Sequence, residues 1–343
     1  MGHSFPEIAK QRLSGGIRVN DIAALILYAC FAVFLYLPAL GVDNFKIICG
    51  INAAAAWGGY FISKRLVNNW TPSLIARAVY GFGPFALSFE MFHPLAGLSF
   101  AMVPWLLLPA VYWHKGKSPD AYRFCVRALL TLLPFAGIVL LFWTLAQQWA
   151  GPRFLMPKDL ALTVKDFANL IFPLNKSGGI VVFGLYHCSI IFALMGVFVY
   201  IKLQRIALLI PIAAGLILSF WEPLFQVSPI VWAAFPILFL AVLCGLGFQA
   251  LLWEGKADTK WIVICAAAAS ALAAFSAGIM MSPFAGRVFE LTAILYGLAA
   301  AALWILLALV RLNLRWPWFK WTVLTAAVVI DLLFSARYLV DKF

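Results

Sequence analysis

The sequence predicts an all-α polytopic integral membrane protein, a bundle of about eleven transmembrane helices (ten to twelve) with a cytoplasmic N-terminus. One short amphipathic helix is expected on the outer surface. Three observations lead there. First, 65% of the 343 residues are hydrophobic and 11% are charged, against about 45–50% and about 25% in soluble domains. A chain with a mean hydropathy of +0.98 cannot cover itself with polar surface. Its 16% aromatic content also excludes disorder. Second, apolar runs such as 262–281 and 291–310 are unbroken, whereas a membrane β-barrel would alternate in segments of about ten residues. Third, the basic residues sort by side.

A hydrocarbon core of about 30 Å takes roughly 20 apolar residues per span. The candidate spans are 22–41, 46–63, 76–92, 95–113, 126–148, 179–201, 206–221, 229–252, 261–281, 289–310 and 318–339. They make 1–343 a single transmembrane domain with no linker and no evident repeat. The polar start carries Lys10, Arg12 and Arg18 and runs into an apolar segment without a small-residue cleavage site, so the first span is expected to be retained.

With the N-terminus inside, alternate segments divide the Lys and Arg residues 17 inner to 8 outer, counting Lys64, Arg65 and Arg77 on the inner side. Half of the outer ones (Arg153, Lys158, Lys165, Lys176) lie in one long loop, where the positive-inside rule is weakest. This placement also explains the net charge of +12 without invoking nucleic acid. Tryptophans 70, 113, 149, 221, 253, 261, 316, 318 and 321 fall near span ends, where an amphipathic ring suits the headgroup region. The expected setting is the lipid bilayer of a bacterial cytoplasmic (inner) membrane.

The long loop, 149–178, contains Pro157 followed by Leu160, Val164, Phe167 and Ile171 at helical spacing. That pattern predicts a surface helix over 157–172, lying on the membrane or packed on the bundle.

Ionisable groups within spans are rare and functional by default. The candidate substrate or proton residues are Glu90, His93, His187, Glu222, Arg287, Glu290 and Asp331. By depth they gather toward the outer side. Glu90 and His93 share a helix face at i and i+3, suited to an ion or a proton, though Pro94 follows at once. His187 stands beside Cys188, but neighbours on a helix point about 100° apart, which is poor geometry for a base and a nucleophile. Asp331 has no cation on its own span, is expected to face the interior, and has Arg287 as the nearest basic group in depth. Gly81, Gly83 and Pro84 mark a helix break in the third span, of the kind that exposes backbone to a transported solute. Pro211 and Pro236 are further kink candidates.

Six cysteines without a CxxC pair, and four histidines, offer no metal or cofactor framework; packing thiols are expected. No phosphate-cradling loop is present, so ATP-driven pumping by this chain alone is not expected. The leading expectation is a permease or secondary transporter of a small or amphiphilic solute, able to run on protons. The alternatives are a membrane-embedded enzyme acting at the outer leaflet on a lipid-linked substrate, and a non-catalytic subunit with partners in a membrane complex.

Overall fold

The computed structural model describes residues 19–37, 43–67, 69–92, 94–112, 136–137, 140, 160–174, 182–202, 209–221, 228–253, 259–280, 287–314 and 316–342. These residues are helical almost throughout, and no strand occurs among them. The long helices are α1 (Val19–Tyr36), α2 (Asp43–Leu66), α3 (Trp70–Gly81), α4 (Pro84–Phe92), α5 (Pro94–Tyr112) and α6 (His187–Lys202). They continue as α7 (Leu209–Phe220), α8 (Ala234–Trp253), α9 (Thr259–Met280), α10 (Arg287–Arg311) and α11 (Pro317–Lys342). Single turns occupy Ala168–Ile171 and Pro229–Trp232. Of the expected span 126–148 only residues 136, 137 and 140 are described, all helical; the rest lies outside the described residues.

Five helical stretches are long and apolar enough to cross a membrane: Val19–Tyr36, Pro229–Leu252, Thr259–Met280, Arg287–Arg311 and Pro317–Asp341. Their outward faces are apolar. Phe34 and Phe334 are 64% and 60% exposed, and Ile26, Ile264 and Phe275 are likewise open. Contiguous greasy surface of this kind marks contact with lipid. Trp70, Trp221, Trp316, Trp318 and Trp321 are also exposed, as interfacial rings are. The protein is therefore an α-helical membrane protein.

Helix contacts bring particular ends together. Asp21 at the start of α1 pairs with Lys64 at the end of α2 at 2.6 Å, and Trp70, opening α3, donates to the Asn20 carbonyl at 3.2 Å. At other ends, Leu162 donates to the Ser219 carbonyl closing α7, and Ser228 and Ile230 both donate to the Leu160 carbonyl. Where α6 crosses α8, a side chain on Gly196 would strike the Leu243 carbonyl and one on Gly247 the Phe192 carbonyl. Small residues are what let membrane helices approach this closely.

Several expectations are corrected. The helix expected from residue 76 begins at Trp70, so Arg77 lies two turns inside α3, fully buried, and does not belong to an inner loop. The helix expected from residue 179 begins at His187, after a buried extended stretch at 182–186. No helix longer than four residues occurs in 160–174: an extended stretch leads to a 3-10 turn, Val164–Phe167, and then to one α turn. The expected apolar face is split: Leu160 and Phe167 pack against the core, while Val164 and Ile171 are exposed. Val164 is 82% exposed and Leu162 is buried instead. Thr163 and Asp166 close a capping box that starts the chain turning at 164; with Leu162 inserted and its amide bonded to Ser219, the segment packs on the bundle. Pro211 sits in the first turn of α7 without breaking it, where a missing N–H is harmless. Pro236 follows a break at Ala233, as its clash with the preceding turn requires.

Candidate functional site

The expected break in the third span is present. Helix α3 ends at Gly81 and α4 starts at Pro84, with Phe82 and Gly83 between them. Proline lacks the amide to continue the ladder. Gly81 permits close contact with α2, since a Cβ there would meet Ala56 and the Asn52 carbonyl. The break aims α4 so that Glu90 is buried against α5, where only a glycine leaves room: a Cβ on Gly97 would collide with the Glu90 Cγ.

Glu90 is 1% exposed. Its Oε2 accepts one long hydrogen bond, 3.4 Å, from the Tyr36 hydroxyl, which itself accepts from Asn52 Nδ2 at 2.8 Å. Glu90 Oε1 and Asn52 Oδ1 have no hydrogen-bond partner. Helices α1, α2 and α4 thus converge on a carboxyl group that is only half satisfied.

Asp331 of α11 is also fully buried but is held differently. His187 Nδ1 lies 3.0 Å from Oδ1, the Cys188 amide donates to Oδ2 at 2.7 Å, and Ser335 Oγ donates at 3.2 Å. The Cys188 amide is one of the first-turn donors of α6 that no helical carbonyl can reach. A carboxylate there also meets the positive end of the helix dipole. Asp331 therefore caps a helix 143 positions away in sequence. With Asp331 ionised, Nδ1–H of His187 is the donor, which leaves Nε2 as the free position. That Nε2 is buried without a partner. The imidazole meets the Tyr296 ring edge-on at 4.9 Å, and the Tyr296 hydroxyl donates to the Ile171 carbonyl at 2.7 Å. The 160–174 segment so reaches the same neighbourhood.

Tyr186 links the two acids. Its phenol lies within electrostatic range of both Asp331 and Glu90, and its hydroxyl is buried without a partner. Thr292 Oγ1, one turn before Tyr296, is another such atom. Buried polar atoms are nearly always hydrogen-bonded, and here Glu90 Oε1, His187 Nε2 and the Tyr186 hydroxyl have no partner among the described residues. Such a set can exchange protons and grip a polar group that enters.

Of the residues singled out in the sequence, the structure brings together His187 and Asp331; Glu90 meets Tyr36 instead and lies with Asp331 only within electrostatic range of Tyr186. Arg287 and Glu290 are exposed at the start of α10; the partner expected for Asp331, Arg287, is replaced by His187, the Cys188 amide and Ser335. His93 and Glu222 lie outside the described residues. Cys188 and Cys244 are buried free thiols, and no cluster of metal-ligating side chains occurs among the described residues. Tyr36, Asn52, Tyr186, Thr292, Tyr296 and Arg77 were not anticipated. For Arg77 a signal existed: Asn69-Trp70-Thr71-Pro72 reads as a helix start, which places residue 77 two turns inside.

Fold and site together define the class: an α-helical membrane protein with two buried carboxyls, Glu90 and Asp331, in its interior. No family model, no curated protein and no solved structure matches the chain.

Proposed function

We propose that the chain is a multi-pass permease of a bacterial cytoplasmic (inner) membrane, moving a small or amphiphilic solute with protons as the coupling ion. One observation carries the reading. Two buried carboxyls, Glu90 just after a broken helix and Asp331 against His187, lie within electrostatic range of one buried Tyr186, and Glu90 Oε1, the Tyr186 hydroxyl and His187 Nε2 are unsatisfied among the described residues. Titratable groups at membrane depth mark proton relays and substrate paths, and a discontinuous helix frees backbone for a solute. In this reading Glu90 takes up and releases the proton, Tyr186 and His187 pass it on, and Asp331 holds His187 in place. About eleven spans with an N-in, C-out arrangement accompany the proposal. The pairing of α1 and α11 supports it: Arg337 near the end of α11 donates to the Leu35 carbonyl at the end of α1, 3.1 Å away, so both helices finish on one side.

A second reading has its own support. An imidazole oriented by a carboxylate through Nδ1, with Nε2 unpartnered, is also the arrangement of a general base, which suits an outer-leaflet enzyme acting on a lipid-linked substrate. Proteoliposomes separate the two. The purified protein goes into vesicles loaded with a pH-sensitive dye, and amino acids, sugars, organic acids and short amphiphiles are added one class at a time. The permease reading expects one class to drive proton flux, and Glu90→Gln to abolish it. Absence of flux with every class, together with chemical change in a lipid extract, replaces it with the enzyme.

A further inference from the structure

Arg77 belongs to neither acid. It sits two turns into α3 and is fully buried. Its Nε donates to Ser63 Oγ, and its Nη1 reaches the Leu238 carbonyl only at 3.5 Å. Nη2 has no acceptor among the described residues. Against α2 the side chain passes over Gly59, where any Cβ would press on Arg77 Cδ. A guanidinium stays charged in a protein and presents five N–H donors in a fixed fork. Here most of those donors are unused.

The neighbours do not neutralise it. The Tyr28 and Tyr80 hydroxyls, both within electrostatic range of Arg77, donate to the Leu74 and Phe100 carbonyls. The acid on α1, Asp21, is held by Lys64 and by the Tyr60 hydroxyl. Asp331 is held by His187, Glu90 leans on Tyr36, and Asp341 pairs with Arg337. Among the described residues no carboxylate meets Arg77. An isolated charge in a low-dielectric interior is strongly unfavourable, and it is tolerated when a counter-charge occupies the site.

We infer that Arg77 is the anion-binding residue of a second site, between α2, α3 and α8, that takes a carboxylate or phosphate group. Bidentate recognition of such oxyanions is what the free edge of a guanidinium does best. The group arrives either on a free solute or on the headgroup of an anionic lipid. This inference does not depend on the permease reading, because its test is binding.

The experiment is thermal melting of the purified full chain in detergent at constant ionic strength, starting in chloride buffer. The probes are inorganic phosphate, acetate, and bilayer discs of phosphatidylglycerol compared with phosphatidylcholine. At about a hundredfold excess of probe over its Kd, the melting temperature of the wild type should rise by several degrees. Arg77→Gln should lose that rise, and Arg77→Lys, which keeps the charge without the fork, should need roughly tenfold more anion. A response to phosphate or acetate after delipidation identifies a free anion; a response to phosphatidylglycerol alone identifies a headgroup. Gly59→Ala retains Arg77 but crowds it, and should blunt the response even if Arg77→Gln does not fold. A wild-type melting temperature indifferent to every probe overturns the inference, and so does an anion response that Arg77→Gln shares.

Discussion

Asp331 and Glu90 are buried to the same degree in one bundle, yet their surroundings differ sharply. Asp331 receives an imidazole, a helix-terminal amide and a serine hydroxyl. Glu90 receives only the Tyr36 phenol at 3.4 Å and the Asn52 side chain, and its second oxygen has no partner among the described residues. Both are out of water; they differ in the donors that meet them. The comparison teaches that depth alone does not identify a working acid. A carboxylate fully supplied with donors ties its neighbours together, and one left short of them contributes less to the packing around it.

Removing carboxylates in turn should expose that difference. Asp331→Ala is expected to have the largest effect on stability, about 3–5 kcal/mol, because it strips His187 and the α6 terminus of their partner inside the core. Denaturation in mixed detergent micelles measures it, and an Asp331→Asn variant should recover part of the loss. Asp21→Ala comes next, at about 1–2 kcal/mol, since Lys64 remains 25% exposed and can turn toward water. If Asp21→Ala proves costlier than Asp331→Ala, the anchor role moves to the other end of the bundle.

Glu90→Gln should cost less than about 1 kcal/mol, because the amide keeps the shape and its oxygen still accepts from the Tyr36 hydroxyl. The same change should abolish proton-coupled flux. A stable protein without coupling is the signature that separates Glu90 from Asp331; a severe folding defect would make Glu90 an anchor too. The smallest effect belongs to Asp341→Ala. Its i,i+4 pair with Arg337 is exposed on both sides, 40% and 55%, and pairs of that kind contribute about 0.3–0.5 kcal/mol. A melting curve indistinguishable from wild type is the expected result.

Much of the helical framework was legible locally. The expected spans 261–281 and 289–310 match α9 and α10 to within two residues, and 22–41 covers most of α1, because helix length follows from the run of side chains itself. The break at Gly81–Pro84 was legible for the same reason: proline removes a donor whatever surrounds it. The 157–172 helix was not, because Leu162 inserts into the bundle and its amide bonds to Ser219, contacts that outweigh the local pattern. The start of α6 was displaced likewise, by a stretch at 182–186 whose burial only the neighbouring helices supply.

By itself, then, the sequence determined that this is an α-helical membrane protein, where most helices lie, and that Glu90, His187 and Asp331 are costly residues to bury. Those properties depend on side chains a few positions apart. Only the tertiary structure decided that Asp331 meets His187 and the Cys188 amide, that Glu90 meets Tyr36, and that Arg287 meets neither acid. Partners such as Asp331 and Cys188 stand 143 positions apart, and no local pattern encodes which helix becomes the neighbour of which. That choice is made by close crossings, such as Gly196 and Gly247 against opposing carbonyls, and by the donors left free at a helix terminus.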